Sequence, residues 1–214
     1  MLGMLAAKYA SNTDPGAISV GMGNSSGTLY GAYQFAACAG VPLEFILWLG
    51  RNEYPYADSL MEAVPGTALF NRRWCQVAGV DPVGFLAMQE HYARQVFYEP
   101  AIFFLEANAY HANLHEEALR QVIFSAAVQY GSFYVPELFF TACVRLGYAS
   151  LACVDTPEAD RAMIEAVYTE RSLEAWMGDH QTERKRLRKR FAAECREAVD
   201  MLSGKLRYLA YSDN

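Results

Sequence analysis

The chain has 214 residues, of which 53% are hydrophobic and 14% aromatic, and its formal net charge is −6. This length fits one domain with a sizeable buried core, and the acidic balance argues against a general nucleic-acid binder. No apolar run approaches the roughly 18–20 residues of a membrane span, so we expect no membrane-spanning segment. The opening residues "MLGMLAAKYA" also lack the pattern of a signal peptide, which predicts synthesis in the cytoplasm.

The first predicted element is a short helix over Leu2 to Tyr9, followed by a segment rich in Gly, Ser, Asn and Tyr that extends to about Gly31. Its two short alternating runs, "AISVGM" and "TLYGAYQF", predict at most a small hairpin near residues 17–35. A loop this long inside a compact domain is usually functional. It has no Lys placed to meet a phosphate, but its Tyr, Asn and Gln side chains offer the stacking faces and uncharged hydrogen bonds that hold a sugar chain.

The middle of the chain reads as a series of helices. One is predicted from Pro42 to Leu49, where Pro is tolerated in the first turn, and a shorter one from Asp58 to Val64. Asp81 is a plausible N-cap for the next helix, which Glu99-Pro100 should interrupt before a further helix through "AIFFLEANAYH".

The C-terminal half contains the predicted central helix, from His115 to Tyr130, which is apolar throughout its middle and is closed by Gly131. Further helices are expected at residues 135–147 and after "DTPE" at residues 155–158. The last predicted helix covers residues 181–209. We therefore predict an all-α fold, with at most a small hairpin, built around a central buried helix. The sequence has no evident boundary, which predicts a single domain over residues 1–214 with the last helix packed on it.

Several chemical motifs have simpler structural interpretations. His111 and His115 share a helix face but lack a third ligand, which favours solvated helix-start residues over a metal site. The five cysteines are widely spaced and odd in number, which indicates reduced, buried side chains. The run "ERKRLRKR" at residues 183–190 reads as the solvated face of an amphipathic helix. The scattered carboxylates are expected mostly on helix surfaces, although a partly buried one could act as an acid: Glu90, Glu106, Glu165 and Glu170.

The opening segment carries a family resemblance. Its motifs are "YASN" at Tyr9–Asn12, "PGAIS" at Pro15–Ser19, "GMGNSSG" at Gly21–Gly27 and "LYGAYQ" at Leu29–Gln34. Together they resemble the N-terminal motif of a lysozyme-like glycoside hydrolase family related to goose-type lysozymes and chitosanases. Such domains occur in phage proteins and on bacterial secretion spikes. The segments "SAAVQYG", "YTERS" and "RFAAECREAVDML" extend the resemblance over most of the chain.

The resemblance implies a muramidase-like enzyme that cleaves β-1,4 amino-sugar linkages of peptidoglycan by general acid catalysis in the inverting geometry, without a cofactor. In this family a Glu would follow the Tyr as the acid, and an Asp would follow the second Gly. This chain has Ala10 and Asn24 at those positions. Three interpretations stay open: an engineered Glu→Ala change, a natural loss that leaves a pseudoenzyme, or another carboxylate in its place, with Asp14 and Glu170 as the candidates.

The residues expected to hold the glycan are Tyr9, Asn12, Tyr30, Tyr33, Gln34 and, by motif resemblance alone, Gln129. The expected ligand is peptidoglycan or a related amino-sugar polymer, with chitosan as the alternative substrate. The resemblance also implies action at the cell wall after export by phage or secretion machinery, and a spike, tail or immunity protein as partner. The rival function is a non-catalytic glycan-binding or assembly module of a phage tail or secretion apparatus.

Overall fold

A computed structural model describes residues 2–20, 27–177 and 181–204 of the chain. It divides into two compact units, one comprising Ala7–Arg94 and the other Met1–Ala6 with Gln95–Asn214. This division does not test the prediction of a single domain over residues 1–214, which stays a prediction. The division falls within the first helix, α1 (Met4–Ser11).

The Ala7–Arg94 unit combines a small sheet with helices. Its elements after α1 are β1 (Ile18–Val20), β2 (Thr28–Tyr30), β3 (Phe35–Ala36), α2 (Val41–Arg51), α3 (Ala57–Met61), α4 (Ala68–Val80) and α5 (Pro82–Ala93). The strands are antiparallel in the order β1-β2-β3, with Ile18 opposite Tyr30 and Leu29 opposite Ala36. The predicted hairpin is therefore present as β1 and β2, and the two-residue β3 extends it to a third strand.

The core of this unit is aromatic. The Phe45 ring lies at its centre, with its centroid 5.2 Å from that of Tyr92 and 5.9 Å from that of Trp74. The Phe85 ring meets Trp74 edge to face at 4.9 Å. Such pairs add about 0.5–1.5 kcal/mol each to the burial of their apolar area. The core therefore provides a rigid support for the sheet and for the loops on either side of it.

Predicted and observed elements differ most at α4, which the sequence analysis missed. Its side chains at Asn71, Arg72 and Arg73 dilute the apolar pattern, although Thr67 caps its start by accepting a hydrogen bond from the Phe70 amide at 3.2 Å. The predicted N-cap at Asp81 is confirmed, because its Oδ1 accepts the Gly84 amide at 2.8 Å. The first helix ends at Ser11 rather than at Tyr9, so the two residues after Tyr9 are helical.

The second unit is helical in its described part. A π-helical turn (Arg94–Tyr98) precedes α6 (Glu99–Glu106), so a change of helix type takes the place of the break expected at Glu99-Pro100. The remaining helices are α7 (Glu117–Tyr130), α8 (Val135–Arg145), α9 (Asp160–Arg171) and α10 (Gln181–Leu202). The α7 helix is buried from residue 118 to residue 127 except at the partly exposed Arg120, as predicted for the central helix. Residues 205–209 of the predicted last helix lie outside the described residues.

A buried guanidinium joins three of these helices. Arg171 on α9 is fully buried, and its Nη2 donates to Ser125 Oγ at 3.2 Å and to Gln129 Oε1 at 2.7 Å, both on α7. Its Nη1 lies 3.9 Å from Glu194 Oε1 on α10, and its guanidinium stacks on Phe191 at 4.4 Å. Removing one member of a buried ion pair typically costs about 3–5 kcal/mol, so these contacts fix α10 against α7 and α9.

The prediction of a solvated His115 is wrong. Its side chain is buried, with Nδ1 2.5 Å from Asp160 Oδ1 and Nε2 3.1 Å from Asp155 Oδ1. The exposed His111 meets Asp155 Oδ2 at 2.6 Å. The helix expected after residues 155–158 is present: a 3₁₀ turn, Pro157–Ala159, leads directly into α9 at Asp160, although Thr156 makes no side-chain cap bond.

The cysteines depart from the prediction in burial but not in redox state. All five are free, as predicted, yet only Cys143 is buried, whereas Cys38, Cys75 and Cys153 are exposed and Cys195 is intermediate. The apolar neighbours of these residues in the sequence belong to other helix faces, which is why local composition misled the prediction.

A glutamine on α5 fixes the segments that flank the sheet. The buried Gln89 accepts the Ala32 amide at 2.8 Å through Oε1 and donates through Nε2 to the Pro15 carbonyl at 3.0 Å. Trp74 Nε1 donates to the same carbonyl at 2.8 Å. Gly31 has a φ of +74°, and a Cβ there would lie 2.3 Å from Gln89 Oε1. The chain therefore needs glycine at this position both for its conformation and for its close approach to Gln89.

We predict that Gly31→Ala lowers the free energy of unfolding by roughly 2–4 kcal/mol, because left-handed strain adds to overpacking against Gln89. Gly40→Ala is the matched control, since Gly40 has a φ of +75° with open space around it. The control should lose roughly 1–2 kcal/mol from strain alone. Urea unfolding of both variants measures the difference, and equal losses would contradict a steric role for Gln89.

Candidate functional site

The end of α1 is the most strained backbone near the resemblance motif. Asn12 and Thr13 are consecutive left-handed residues, with φ of +59° and +61°. This conformation is rare for a β-branched residue, and such strain concentrates at functional sites. Ser11 Oγ donates to the Ala32 carbonyl at 3.2 Å, which attaches this turn to the segment held by Gln89. The turn after α1 is therefore a preorganised part of the fold and a candidate site.

Position 10, the expected acid position, lies in the last turn of α1 directly before this strained turn. Ala10 and Tyr9 are both partly exposed, and the ammonium of Lys8 lies 5.6 Å from the centroid of the Tyr9 ring. A methyl group has no proton to donate, so Ala10 cannot supply acid catalysis. Asn24, the other substituted position, lies outside the described residues.

Two of the predicted glycan-holding tyrosines are buried. Tyr30 has no exposed surface; its hydroxyl donates to Asn71 Oδ1 at 2.5 Å and accepts the Gly66 amide at 2.9 Å. Tyr33 is 3% exposed, and burial raises the pKa of its hydroxyl. Neither ring presents a face on which a sugar could stack, so the structure assigns Tyr30 and Tyr33 to the core beneath the site rather than to its surface.

Asn12 is exposed, and Gln34 and Ser19 are partly exposed. Gln34 has a φ of +55°; its Nε2 donates to the Gly31 carbonyl at 2.9 Å, and its Oε1 accepts from Ser19 Oγ at 2.5 Å. These bonds fix the orientation of a partly exposed amide. Asn12 and Gln34 are therefore the predicted ligand-holding residues that the structure leaves accessible, beside the partly exposed Tyr9.

The two carboxylates named as substitute acids have structural partners. Asp14 is exposed, and its Oδ1 accepts the Gly16 amide at 2.8 Å in a local turn. Glu170, in the other unit, is buried and pairs with Arg145 Nε at 2.5 Å. Gln129 belongs to the Arg171 contacts of that unit.

Glu90 on α5 is a candidate acid that the sequence analysis placed among surface residues. Its carboxyl is partly buried, and burial raises its pKa to about 7, against a smaller lowering by Arg94. The charge of Glu90 in turn adds to the raised pKa of Tyr33. A carboxyl that holds its proton near neutral pH can act as a general acid. Its position next to Gln89 in the sequence did not indicate burial, because only the structure shows that Gln89 is buried.

A concavity of about 390 Å³ also lies in the Ala7–Arg94 unit, lined by Pro55, Tyr56, Ser59, Arg73, Gln76, Val77, Val80 and Asp81. None of the motif residues lines it. The Tyr56 hydroxyl donates to Asp81 Oδ2 at 2.6 Å there, and this bond lowers the pKa of Asp81. The concavity is thus separate from the candidate site.

Among residues 2–20, 27–177 and 181–204, no group of three His, Cys, Asp or Glu side chains is arranged to hold a metal ion. Within the same ranges, no helix combines the length and the apolar character needed to cross a bilayer.

Comparison with known proteins adds a family and a fold. Residues 2–195 match the family model described as "Type VI secretion system spike protein VgrG3-like, C-terminal". No curated protein sequence gives a significant match. A GH46 chitosanase of Gynuella sunshinyii, solved with chitotetraose, has a similar structure, with a TM-score of 0.59 and 15% sequence identity over 98% of this chain and 89% of that chain. The predicted lysozyme-like helical fold is thereby confirmed.

The raised pKa of Glu90 generates a prediction about stability. The value of about 7 lies above the ordinary 4.5, so the protonated form stabilises the fold below about pH 4.5, and this contribution is lost as the pH rises through 7. Glu90→Gln should therefore match the native chain at about pH 4.5. At about pH 8.5 it should be more stable by roughly 1–2 kcal/mol, a value reduced for the partial exposure of the carboxyl.

Urea unfolding at the two pH values measures this difference. Glu53→Gln, at an exposed position of the same unit, is the control and should change stability by less than about 0.5 kcal/mol at either pH. A Glu90→Gln curve parallel to the native one across the range would show that folding does not shift the pKa of Glu90.

Proposed function

The chain belongs to the VgrG3-like C-terminal domain family of type VI secretion spike proteins, and we propose that it is a lysozyme-like glycan module directed at peptidoglycan. The family places it in a secretion context, which supports delivery to a cell wall. The fold shared with a chitosanase supports a polymer of β-1,4-linked amino sugars as the ligand class. Peptidoglycan is favoured over chitosan because the opening segment, Lys8 to Ala36, holds a single carboxylate, Asp14, to meet a cationic polymer.

The observation that carries the proposal is the strained turn at the end of α1. It keeps Asn12 exposed beside the helix turn that contains position 10, and Ser11 fixes it to the Ala32 carbonyl. Strain of this kind is retained where the surrounding structure supports it and where a ligand uses it. The oriented amide of Gln34 adds an uncharged donor and acceptor suited to sugar hydroxyl and N-acetyl groups.

In the proposed reaction, an acid at position 10 would protonate the glycosidic oxygen while water attacks the anomeric carbon from the opposite face. The C–O bond breaks, the leaving sugar keeps the proton, and the attacking water loses one to a base. Ala10 removes the acid, and Asn24 replaces the Asp that would orient the water. The loss of acid catalysis alone is worth about 10²–10⁴-fold in rate. The native chain is accordingly a glycan-binding form of a hydrolase with little activity of its own.

A second candidate function is a purely non-catalytic glycan-binding or assembly module of the secretion apparatus. The absence of a carboxylate at position 10 is the observation that favours it. The two functions share a ligand and differ in whether restored carboxylates restore cleavage.

We predict that Ala10→Glu raises the rate of peptidoglycan cleavage by about 10²-fold or more, and that Ala10→Glu with Asn24→Asp raises it further. The measurement is the release of muropeptides from purified sacculi, read by mass spectrometry, with the fragment ends identifying the bond. Ala87→Glu, on an exposed position of α5, is the matched control for an added carboxylate and should release no more than the native chain.

Sedimentation with sacculi, measured on the same samples, separates the remaining outcomes. Binding by all forms without cleavage by any supports the non-catalytic module. Cleavage by the native chain that Glu90→Gln abolishes would identify another carboxylate as the acid. If no form binds or cleaves sacculi, the proposal of a peptidoglycan-directed module is wrong.

A further inference from the structure

The second unit exposes a continuous group of aromatic rings, which we name the aromatic patch: Phe103, Phe104, Phe133 and Tyr134. Neighbouring ring centroids lie 5.8 Å apart for Phe103 and Phe104, 5.9 Å for Phe104 and Phe133, and 5.7 Å for Phe133 and Tyr134. Phe103 is 67% exposed and Phe133 is 72% exposed. Single exposed apolar residues are ordinary, but a contiguous exposed group of this kind marks an interaction surface.

The α8 helix lies beside the patch and adds apolar surface to it. It packs against α6 and against the turn that carries Phe133 and Tyr134. Its outer face exposes Phe140 and Val144, which are four residues apart and therefore on the same side of the helix. The exposed apolar area is thus wider than the four rings alone.

Acidic residues surround this area. Glu99 and Glu106 lie four residues before and three residues after Phe103 on α6, and Glu137 lies three residues before Phe140 on α8; all three are exposed. The cation on these two helices is Arg145, which pairs with Glu170. The patch is therefore aromatic at its centre and negative at its rim. Lys and Arg side chains fit such a surface, because they stack on aromatic faces and pair with carboxylates.

The same unit exposes a surface of that complementary chemistry on α10. Lys185 and Lys189 are exposed and four residues apart, with Arg196 farther along the same side and Arg186 next to it. The opposite side of α10 is buried through Phe191, Glu194 and Ala198. We name the exposed side the basic stripe. Its charge is not used by the candidate functional site.

We propose that the aromatic patch of one copy binds the basic stripe of α10 of a second copy. Both surfaces are exposed in one copy, so their pairing requires another molecule. Pairing two patches would bring the carboxylates of Glu99, Glu106 and Glu137 in one copy against the same carboxylates in the other. This repulsion between like charges disfavours a two-fold contact. The contact is therefore head to tail, with a different surface from each copy.

Charge reversal with mixing tests this arrangement directly. The patch variant is Glu106→Lys with Glu137→Lys, and the stripe variant is Lys185→Glu with Lys189→Glu. Sedimentation velocity of the native chain at about 50 mM salt should show self-association that weakens at about 500 mM salt, because salt screens exposed charges. Each variant alone should associate at least about tenfold more weakly.

The mixture of the two variants gives the decisive result. The stripe variant keeps an intact patch and the patch variant keeps an intact stripe, so the mixture should associate in equal proportions, whereas each variant alone associates at least about tenfold more weakly. Glu53→Lys with Asp58→Lys makes the same change in net charge as the patch variant, on exposed positions of the other unit, and should leave association unchanged. Phe103→Ser with Phe133→Ser should abolish association.

Three results would overturn the proposal. The first is a native chain that is monomeric at both salt concentrations. The second is association that neither charge variant reduces, which would point to an apolar contact without the stripe. The third is a mixture of variants that stays monomeric while the native chain associates, which would show that the patch and the stripe do not contact each other.

Discussion

The side-chain amide of Gln89 is the constraint on which the candidate site depends. One buried group holds the Pro15 carbonyl, before β1, and the Ala32 amide, between β2 and β3. Ser11 then attaches the strained turn after α1 to the carbonyl of Ala32. The strand hydrogen bonds alone are marginal for strands of two or three residues, so the Gln89 bonds, the Trp74 bond to Pro15 and the packing of Phe35 on Phe45 all support the sheet.

This arrangement explains how the fold keeps its site geometry without the carboxylate at position 10. None of the hydrogen bonds that hold the turn involves the side chain of residue 10. Ala10 therefore removes the catalytic group and leaves the backbone of the turn unchanged. The carboxylates Asp14 and Glu170 are each held by a structural partner. Glu90 differs from them because its carboxyl is partly buried and its pKa is raised to about 7. On this fold, a glycan-binding module that has lost its acid therefore differs from an active enzyme by few side chains.

Sequence reasoning recovered the fold class, the buried α7 helix and the cap at Asp81, because each depends on local pattern and chemistry. It missed α4, where Asn71, Arg72 and Arg73 dilute the periodicity. It expected Tyr30 to face the ligand, since composition shows that a ring can stack on a sugar but not which side of a strand it occupies. Sequence reasoning also missed the burial of His115 between two aspartates, because those partners are 40 and 45 residues away. Contacts between distant residues decided each of these cases.

The most direct test of the account is an NMR titration of the native chain with a soluble peptidoglycan tetrasaccharide. The account locates glycan binding at the turn after α1 and at Gln34, in the turn before β3. It predicts that amide shifts of Asn12, Thr13 and Gln34 change first and most, without cleavage of the sugar. Shift changes centred instead on the Gln95–Asn214 part of the chain, or no changes at millimolar sugar, would contradict it.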